Sequence, residues 1–516
     1  MTVLRAIALG AAVVAIACAD LRWLRVAQHE HYLSGAATRF AWRWWLSTPL
    51  NRILALLAVS CAGLTTVVSP AALATGVIVA AGPVGLGLRG RTARLGWTRR
   101  LSQVAVFAVG VECVAVALSG AYAGVSGAAL AAAWSAIAVP VFVDAALGVL
   151  RPVEDRLAQR HVERASAVLG RVRPVVVGIT GSYGKTTTKT YVAHLVAGDR
   201  SVVASPRSFN NRAGLARTVN EHLVPGTDVL VAEMGAYGPG EIAALCRWLR
   251  PEVAVITSIG PAHLERFGTL DRTLAAKAEI TSTARVVVLN IDDERLDELA
   301  RRLGGDHKIV RASGLDASAG VAVLDRATGL ELRVRGSSYG VAVLAPGTPP
   351  PIRSNAACAA AVAVELGIDP EVVVKRLTSL PVVPNRLQRY RANAGYVVFD
   401  DTFNANPIGA GLALDALGSE ACEGRRVLVT PGMVELGKVQ AAENAALAER
   451  AARIVTDLVI VGRTNRAALV EGWRKAGQAP AVKLVDTREE AVAWTRGELG
   501  AGDAVLFEND LPDHFP

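Results

Sequence analysis

The first 150 residues contain five apolar runs, at about 3–20, 53–69, 71–88, 103–122 and 126–150. Apolar stretches of this length fit a bilayer-spanning helix, which needs about 20 residues in a range near 17–25. Arg5 precedes the first run in the manner of a signal peptide. No small-residue cleavage site follows it, so the run reads as a retained anchor. Residues 1–173 hold 17 Arg, no Lys and 7 acids, so the formal charge of +9 resides in this part and the remainder is near neutral. The arginines cluster in 21–52 (Arg22, Arg25, Arg39, Arg43, Arg52), in 89–100 (Arg89, Arg91, Arg94, Arg99, Arg100) and after 150 (Arg151, Arg156, Arg160). The connections near 70 and 123–125 carry none. Because arginine-rich loops stay in the cytoplasm, five spans with residue 1 outside put every cluster on one side. The expectation is a multi-pass protein of the cell's inner (plasma) membrane with residues 151–516 in the cytoplasm. Trp23, Trp42, Trp44, Trp45 and Trp97 suit interfacial anchors. Glu112 and Asp144 fall inside predicted spans, where a carboxyl faces protein or water, or is paired or protonated. No basic stripe supports nucleic-acid binding. Six scattered Cys without a CxxC fit small buried hydrophobes.

Beyond 173 the pattern changes. Residues 151–173 read as a charged, Ala-rich linking helix. Val175–Thr180, Val229–Glu233, Val253–Thr257 and Val286–Asn290 are short β-rich runs separated by helix-length segments. That alternation predicts a mostly parallel sheet covered on both faces. Residues 320–344 alternate apolar and polar, which predicts antiparallel hairpins. Pro381 and Pro384 mark a linker, and a second set of strands is expected near 396–400, 426–430, 457–461, 482–485 and 503–507. The predicted fold is an α-helical membrane domain (1–150), the linker (151–173), an α/β P-loop domain (174–383) and a Rossmann-like α/β domain (384–516).

The segment Thr180-Gly181-Ser182-Tyr183-Gly184-Lys185-Thr186-Thr187 follows the first of these strands. Gly181, Ser182 and Gly184 let backbone amides turn toward phosphate oxygens. Lys185 can reach the β- and γ-phosphates, Thr186 offers a hydroxyl to Mg²⁺, and Thr187 continues into the helix. Ile179 stands where the longer GxxxxGK[ST] spacing has its first Gly, so the motif is the shorter GxxGKT.

Further pieces appear in order. They are Ser208-Phe209-Asn210-Asn211, Ala232-Glu233-Met234-Gly235, Pro261-Ala262-His263-Leu264-Glu265, Ala276-Lys277-Ala278-Glu279 and Asn355-Ala356-Ala357. Then come Asn385-Arg386-Leu387, Asp400-Asp401-Thr402-Phe403-Asn404-Ala405-Asn406-Pro407 and Gly432-Met433-Val434-Glu435-Leu436-Gly437. Over about 174–516 this ordered set resembles the Mur ligase family, and within it most looks like the ligase that adds D-alanyl-D-alanine to a UDP-muramoyl-tripeptide.

The resemblance implies an ATP-dependent acid–amino-acid ligase forming ADP and phosphate. ATP phosphorylates a carboxylate, an amine attacks the acyl phosphate, and phosphate leaves. By resemblance Thr186 and Glu233 hold one Mg²⁺, and His263 helps hold a second. Lys277 matches a carbamylated lysine whose added carboxylate serves the metal site. Asn355, Arg386 and Asp401 fall on the ATP side. Asn404 and Asn406 face the substrate cleft. Lys185, His263 and Lys277 are the catalytic candidates.

Departures from the family bear on substrates. The membrane domain stands where a uridine-nucleotide-binding domain is expected, Pro351-Ile352 replaces a His-Asn pair, and Asn385 replaces a Gly. Leu506-Phe507-Glu508-Asn509-Asp510-Leu511-Pro512-Asp513 replaces a Lys-Gly-Ser type segment. The carboxylate substrate is therefore expected to be a small or lipid-linked envelope precursor, and the acceptor an amino acid or dipeptide. A poly-γ-glutamate-type ligase and a silent ATP-binding scaffold are the alternatives. An ATP-driven transporter lacks its signature here.

Overall fold

The computed structural model describes residues 2–516 except 69, 91–93, 207, 208, 306, 344–351, 404, 478–480 and 513. Arg91, Ser208, Pro351, Asn404 and Asp513 therefore lie outside the described residues. The chain divides into two compact units, Met1–Arg156 with Leu511–Pro516, and Leu157–Asp510.

The first unit is helical: α1 (Thr2–His29), α2 (Ala36–Leu46), α3 (Pro49–Leu64), α4 (Ala71–Ala81) and most of α5 (Arg99–Val172). Helix α5 is interrupted at Ala123 and Gly124, where Gly124 has φ 63° and ψ −156°. Its two arms fold back on each other, so Arg100 at one end meets Glu154 on the other arm at 2.5 Å. The apolar runs at 103–122 and 126–150 are these two arms. Not every expected span forms. By length and apolarity α1 and α5 qualify, and α2 with α3 qualifies only as a pair bent by 113°. The run at 71–88 becomes the 11-residue α4, about 16 Å long at 1.5 Å per residue. The Gly82 and Pro83 that follow end it.

Two readings of polar residues are revised by packing. Arg22 and Arg25 lie inside α1 rather than in a loop, and both are buried. The Arg22 guanidinium donates to the carbonyls of Val79, Ala80 and Leu86 at 3.2, 3.0 and 3.1 Å. It thus satisfies the C-terminal carbonyls of α4, where a cation is favoured. Asp144 accepts from the amides of Ala37 (3.2 Å) and Thr38 (2.9 Å), capping the start of α2 from another helix. Trp23 and Trp44 are packed inside the unit, whereas Trp42 and Trp97 point outward. The chain's last residues belong to this unit as well. His514 Nε2 lies 3.0 Å from Glu30 Oε1, Trp44 Nε1 donates to His514 O at 2.7 Å, and Phe515 packs edge-on against Phe40.

The second unit holds two sheets. The first runs β1 (Val175–Thr180), β2 (Val202–Ala204), β3 (Val229–Glu233), β4 (Val253–Ile256), β5 (Val286–Asn290), β6 (Lys308–Ser313), β7 (Val321–Arg326), β8 (Gly329–Val334) and β9 (Ser337–Val343). Its order is β2-β3-β1-β4-β5-β6-β7-β8-β9, parallel as far as β7 and antiparallel beyond. The second sheet has β10 (Gln388–Arg391), β11 (Val397–Asp401), β12 (Arg426–Thr430), β13 (Asp457–Val461), β14 (Ala481–Val485) and β15 (Ala504–Glu508). Its order is β10-β11-β15-β12-β13-β14, parallel except for β10. Strands β2, β6 and β10 were not expected; all three are short or flanked by charge, so hydrophobic pattern gives little warning of them.

Three connecting helices place the site: α6 (Lys185–Val196), α7 (Leu270–Ala278) and α8 (Arg353–Glu365). Helix α8 is almost wholly buried Ala and Val and packs with the apolar faces of α6 and the first sheet in one core. Small side chains there let α8 approach the loop between β1 and α6.

Candidate active site

Strand β1 ends at Thr180 in the middle of a parallel sheet, so the next residues emerge at the carboxyl edge where ligands bind in such folds. Ile179 is fully buried in β1, which explains why a glycine is not needed there: the chain is still a strand. The turn itself needs glycine twice. Gly181 has φ 147°, and a Cβ on it would lie 2.1 Å from Thr257 Oγ1. Gly184 has φ 79°, and a Cβ would lie 2.3 Å from Asn355 Oδ1. Asn355, on α8, thus packs directly behind the loop.

The loop is fastened to residues 257–262. Ser182 N donates to Ser258 O at 2.8 Å, and Tyr183 N to Ser258 Oγ at 2.9 Å. Gly260 N donates to Ser182 Oγ at 3.0 Å, and Ala262 N to Tyr183 Oη at 3.1 Å. Lys185 bends back over the loop, its Nζ donating to Gly181 O (2.8 Å) and Ser182 O (3.1 Å). Burial pushes Lys185 down to about 8; Glu233 opposes this shift and Arg386 adds to it. Thr187 faces inward and is buried.

Glu233 ends β3 beside the loop and is 2% exposed. Its Oε2 accepts from Thr186 Oγ1 at 2.9 Å and Lys189 Nζ at 3.0 Å, and its Oε1 accepts from Asn210 Nδ2 at 3.1 Å. Burial alone would lift this carboxyl, but the Lys189 and Lys185 ammonium groups outweigh it and hold it below the usual range. The bland alternative, a solvated strand end, is thereby removed.

His263 has φ 54° and lies edge-on to Tyr237 at 4.9 Å. Its Nδ1 donates to Glu435 Oε2, a residue from the second sheet's loops with φ 62°. Arg266 Nη2 donates to Glu435 Oε1 at 3.1 Å, and Glu265 N to Glu435 O at 3.2 Å. Lys277, on α7, is 3% exposed. Its Nζ lies 3.4 Å from Ala236 O and over the Phe267 ring. Burial first, then the Lys185 ammonium, push Lys277 down to about 7; Glu241 and Glu279 oppose the shift. Lys185, His263, Lys277, Asn210 and Gly181 line a single cavity of about 40 Å³.

From the second sheet's side, Arg386 lies over the Phe403 ring at 4.2 Å, and its charge interacts with both Asp401 and Glu233. Asp401 Oδ1 accepts from Leu387 N at 3.0 Å. Burial raises Asp401 to about 6, with Arg386 pulling the other way. Asn406 Oδ1 accepts from Gly409 N at 2.7 Å and caps the next helix. Asn404 is outside the described residues.

Three contributors escaped the sequence reading: Lys189, the Asn210 amide and the Glu435 clamp. Lys189 follows Lys185 by four residues, so both lie on one helix face, and that spacing was the available signal. Glu435 meets His263 only through tertiary contact.

Among the described residues, no three His, Cys, Asp or Glu side chains gather to hold a metal. The Thr186 hydroxyl and the Glu233 carboxylate nevertheless form the sparse hard-oxygen set that Mg²⁺ takes when phosphates and water complete its shell.

Residues 179–363 match the Mur ligase middle domain and residues 385–508 the Mur ligase glutamate ligase domain. A UDP-N-acetylmuramoyl-tripeptide–D-alanyl-D-alanine ligase of Mycobacterium tuberculosis (strain ATCC 25618 / H37Rv) is 34% identical over 360 residues, covering 64% of this chain and 70% of the relative. The Bacillus subtilis ligase of the same name is 27% identical over 364 residues, covering 69% and 77%. The MurF ligase of Thermotoga maritima in complex with ADP superposes with a TM-score of 0.60 at 27% identity, covering 68% of this chain and 80% of that one.

The chain belongs to the Mur ligase family. It is an ATP-dependent ligase of that family, forming ADP and phosphate. In this Mur ligase the phosphate loop, His263 and Lys277 line one cavity and Glu233 bonds to Thr186 beside it, while Arg386 and Asp401 come from the glutamate ligase domain.

The Lys189–Glu233 pair yields a stability prediction. Removing one partner of a buried ion pair costs about 3–5 kcal/mol. Lys189→Met is expected to lower stability by that order at neutral pH, read by denaturant unfolding of the purified chain. Glu233 is held below its ordinary value, so its contribution is present above the unfolded carboxylate range and is lost as pH falls through the folded value. The gap between variant and wild type should therefore narrow in acid. A gap that stays constant down to low pH would show that the lost stability is not electrostatic.

Proposed function

We propose that this Mur ligase joins a carboxylate on a cell-wall (peptidoglycan-like) precursor to the amine of an amino acid or dipeptide, through an acyl phosphate. The observation that carries the reading is the convergence of Lys185, His263 and Lys277 on one cavity beside the loop, with Glu233 bonded to Thr186 at the start of the next helix. The family's chemistry brings anions together, so cations and aimed amides must neutralise them. Lys185, released from Gly181 O and Ser182 O by the incoming phosphates, bridges the β- and γ-phosphoryl oxygens. The loop amides and the start of α6 orient them. Thr186 and Glu233 would hold a Mg²⁺, which would supply further neutralising charge, and His263 would serve a second ion. Arg386 reaches the nucleotide from the glutamate ligase domain, and the Glu435–His263 contact brings the loops of the two domains together before the amine attacks. The curated relatives named above support a dipeptide acceptor and a muramoyl-peptide donor, since their names carry both. The departures at Glu508–Asp510 and the helical segment ahead of the matched domains leave room for a different donor, including a lipid-linked one.

The fold alters the chemistry of Lys277 markedly. With its amine near 7, much of it is uncharged at neutral pH, and only an uncharged amine attacks CO₂. The amine adds to carbon, a proton leaves, and the carbamate supplies a carboxylate where a bare ammonium would repel metal.

Residues 1–150 act, in this reading, as the membrane domain and 151–173 as the helix leading out of it, ahead of ligase domains at 174–383 and from 384. Helix α1 and the two arms of α5 cross the bilayer. Helices α3 and α4 enter and return, which keeps all the arginine clusters on the cytoplasmic side. Ala8 of α1, Ala62, Ala72 and the α5 residues Ala129 and Ala133 pack together, as expected if the α3–α4 turn reaches the depth of the outer helix ends.

Four outcomes are expected. Purified chain with ATP, Mg²⁺, candidate donors and a panel of amino acids and dipeptides should release phosphate only with the correct acceptor. Lys185→Ala should abolish that release while the fold persists; unchanged turnover would reject the loop assignment. Lys277→Ala should be inactive and partly rescued by a short carboxylic acid, and bicarbonate depletion should slow the wild type. Full activity of Lys277→Ala would make the residue structural. Reporter fusions after Ser47, Thr98 and Pro516 should all read cytoplasmic, and a periplasmic signal at Pro516 would sink the topology.

A further inference from the structure

Strands β11 and β15 are parallel neighbours, and their last residues, Asp401 and Glu508, stand opposite each other in the register. Glu508 is fully buried. No N–H or O–H of the described residues reaches either of its carboxyl oxygens. The polar side chain it does contact is Asp401. The sequence departs from its family at this point, placing an acid where a Lys-Gly-Ser type segment is expected.

Two ionised carboxylates offer acceptors and no donor. Pressed together away from water they repel, and their facing oxygens go unsatisfied. A single proton between them removes both problems, as in other carboxyl pairs that titrate jointly. The surroundings fix which acid keeps it. Asp401 already accepts the Leu387 amide at 3.0 Å and lies beside the Arg386 guanidinium. Glu508 has neither.

We propose that Glu508 is a positioning residue: it stays protonated, donates its O–H to Asp401, and so holds the hinge that aims Arg386 at the nucleotide. This rests on the reading of Arg386 as an ATP-side residue given above. The hinge needs holding. Asn385 and Leu387, on either side of Arg386, have φ 58° and 51°, a left-handed conformation that non-glycine residues adopt only under constraint. The Leu387 amide on Asp401 is that constraint. Asp401 O also accepts Asn509 N at 3.1 Å, and Asn509 Nδ2 donates to Gly432 O at 2.7 Å, which ties the end of β15 to the loop after β12.

The charged groups around the pair agree with this assignment. Asp400 is taken up by Thr402 N and Oγ1, and Asp510 by Arg488. Arg386 also faces Glu233. Burial and the neighbouring Asp401 push Glu508 well above the ordinary carboxylate range. A raised acid contributes its stabilisation in full below the unfolded value and loses it as pH rises through the folded value. On the alkaline side Glu508 ionises, repels Asp401 from the Leu387 amide, and lets the hinge relax.

The test is equilibrium dialysis of labelled ATP against the purified full-length chain across a pH series, with infrared titration of protonated carboxyl groups alongside. Wild-type affinity for ATP should weaken about tenfold as the shared proton is lost, one pKa unit's worth of coupling. Glu508→Gln keeps the shape and offers an N–H to Asp401. It should bind ATP like wild type at neutral pH, show no alkaline weakening, and lack one carboxyl band. Glu508→Ala should bind ATP weakly at every pH. The proposal is overturned if Glu508→Gln keeps the wild-type pH dependence, or if no carboxyl band separates the two proteins. If Arg386→Ala leaves ATP binding unchanged, the nucleotide reading of Arg386 fails first and takes the proposal with it. If Arg386→Ala weakens binding while Glu508→Gln tracks wild type at all pH values, only the role of Glu508 fails.

Discussion

A carboxylate almost cut off from water, Glu233, organises the catalytic edge of the first sheet. It joins three separate stretches of chain: the start of α6 through Thr186 and Lys189, the 205–210 segment through Asn210, and β3 itself. A buried anion tolerates that position only when partners surround it. The two lysines one helical turn apart supply the charge, so the helix that receives phosphate also neutralises the acid that would hold its metal. Lys185 points toward the loop and Lys189 toward the acid. Burial first, and then the Lys185 ammonium, is why Lys277 nearby gives up its proton easily.

Much of this edge was legible before any coordinates. The GxxGKT between a strand and a helix, the parallel α/β alternation and the ordered family pattern pointed to residues that the fold brings together at this edge, because local turn chemistry and hydrophobic period carry that information. What escaped depended on distance in sequence. Glu435 meets His263 across 172 positions, and Glu508 meets Asp401 across adjacent strands that are more than 100 residues apart in the chain. Asn406 has a local role that the motif did not reveal, since its Oδ1 caps the next helix. In the helical unit, apolar composition located the helices and misjudged their lengths: α1 runs nine residues further than expected and α4 stops early. Arg22, marked as a loop residue, is a buried partner of a helix end.

The two units also differ in how they use charge. In the ligase unit, buried charges converge on one cavity. In the helical unit they serve packing, with Arg22 closing the end of α4 and Asp144 opening α2.

The His263–Glu435 contact carries a cost visible in the backbone at both ends. Each residue sits in the left-handed region, at φ 54° and 62°, a conformation that costs an L-residue about 1–2 kcal/mol and a glycine essentially nothing. Glycine at either site would relax its turn and forfeit the side chain that fastens one domain's loop to the other's. At these two positions robustness and closure pull in opposite directions. Consensus or stability-guided redesign of this enzyme would tend to choose the relaxed turn, and would return a protein that melts later and shuts less well.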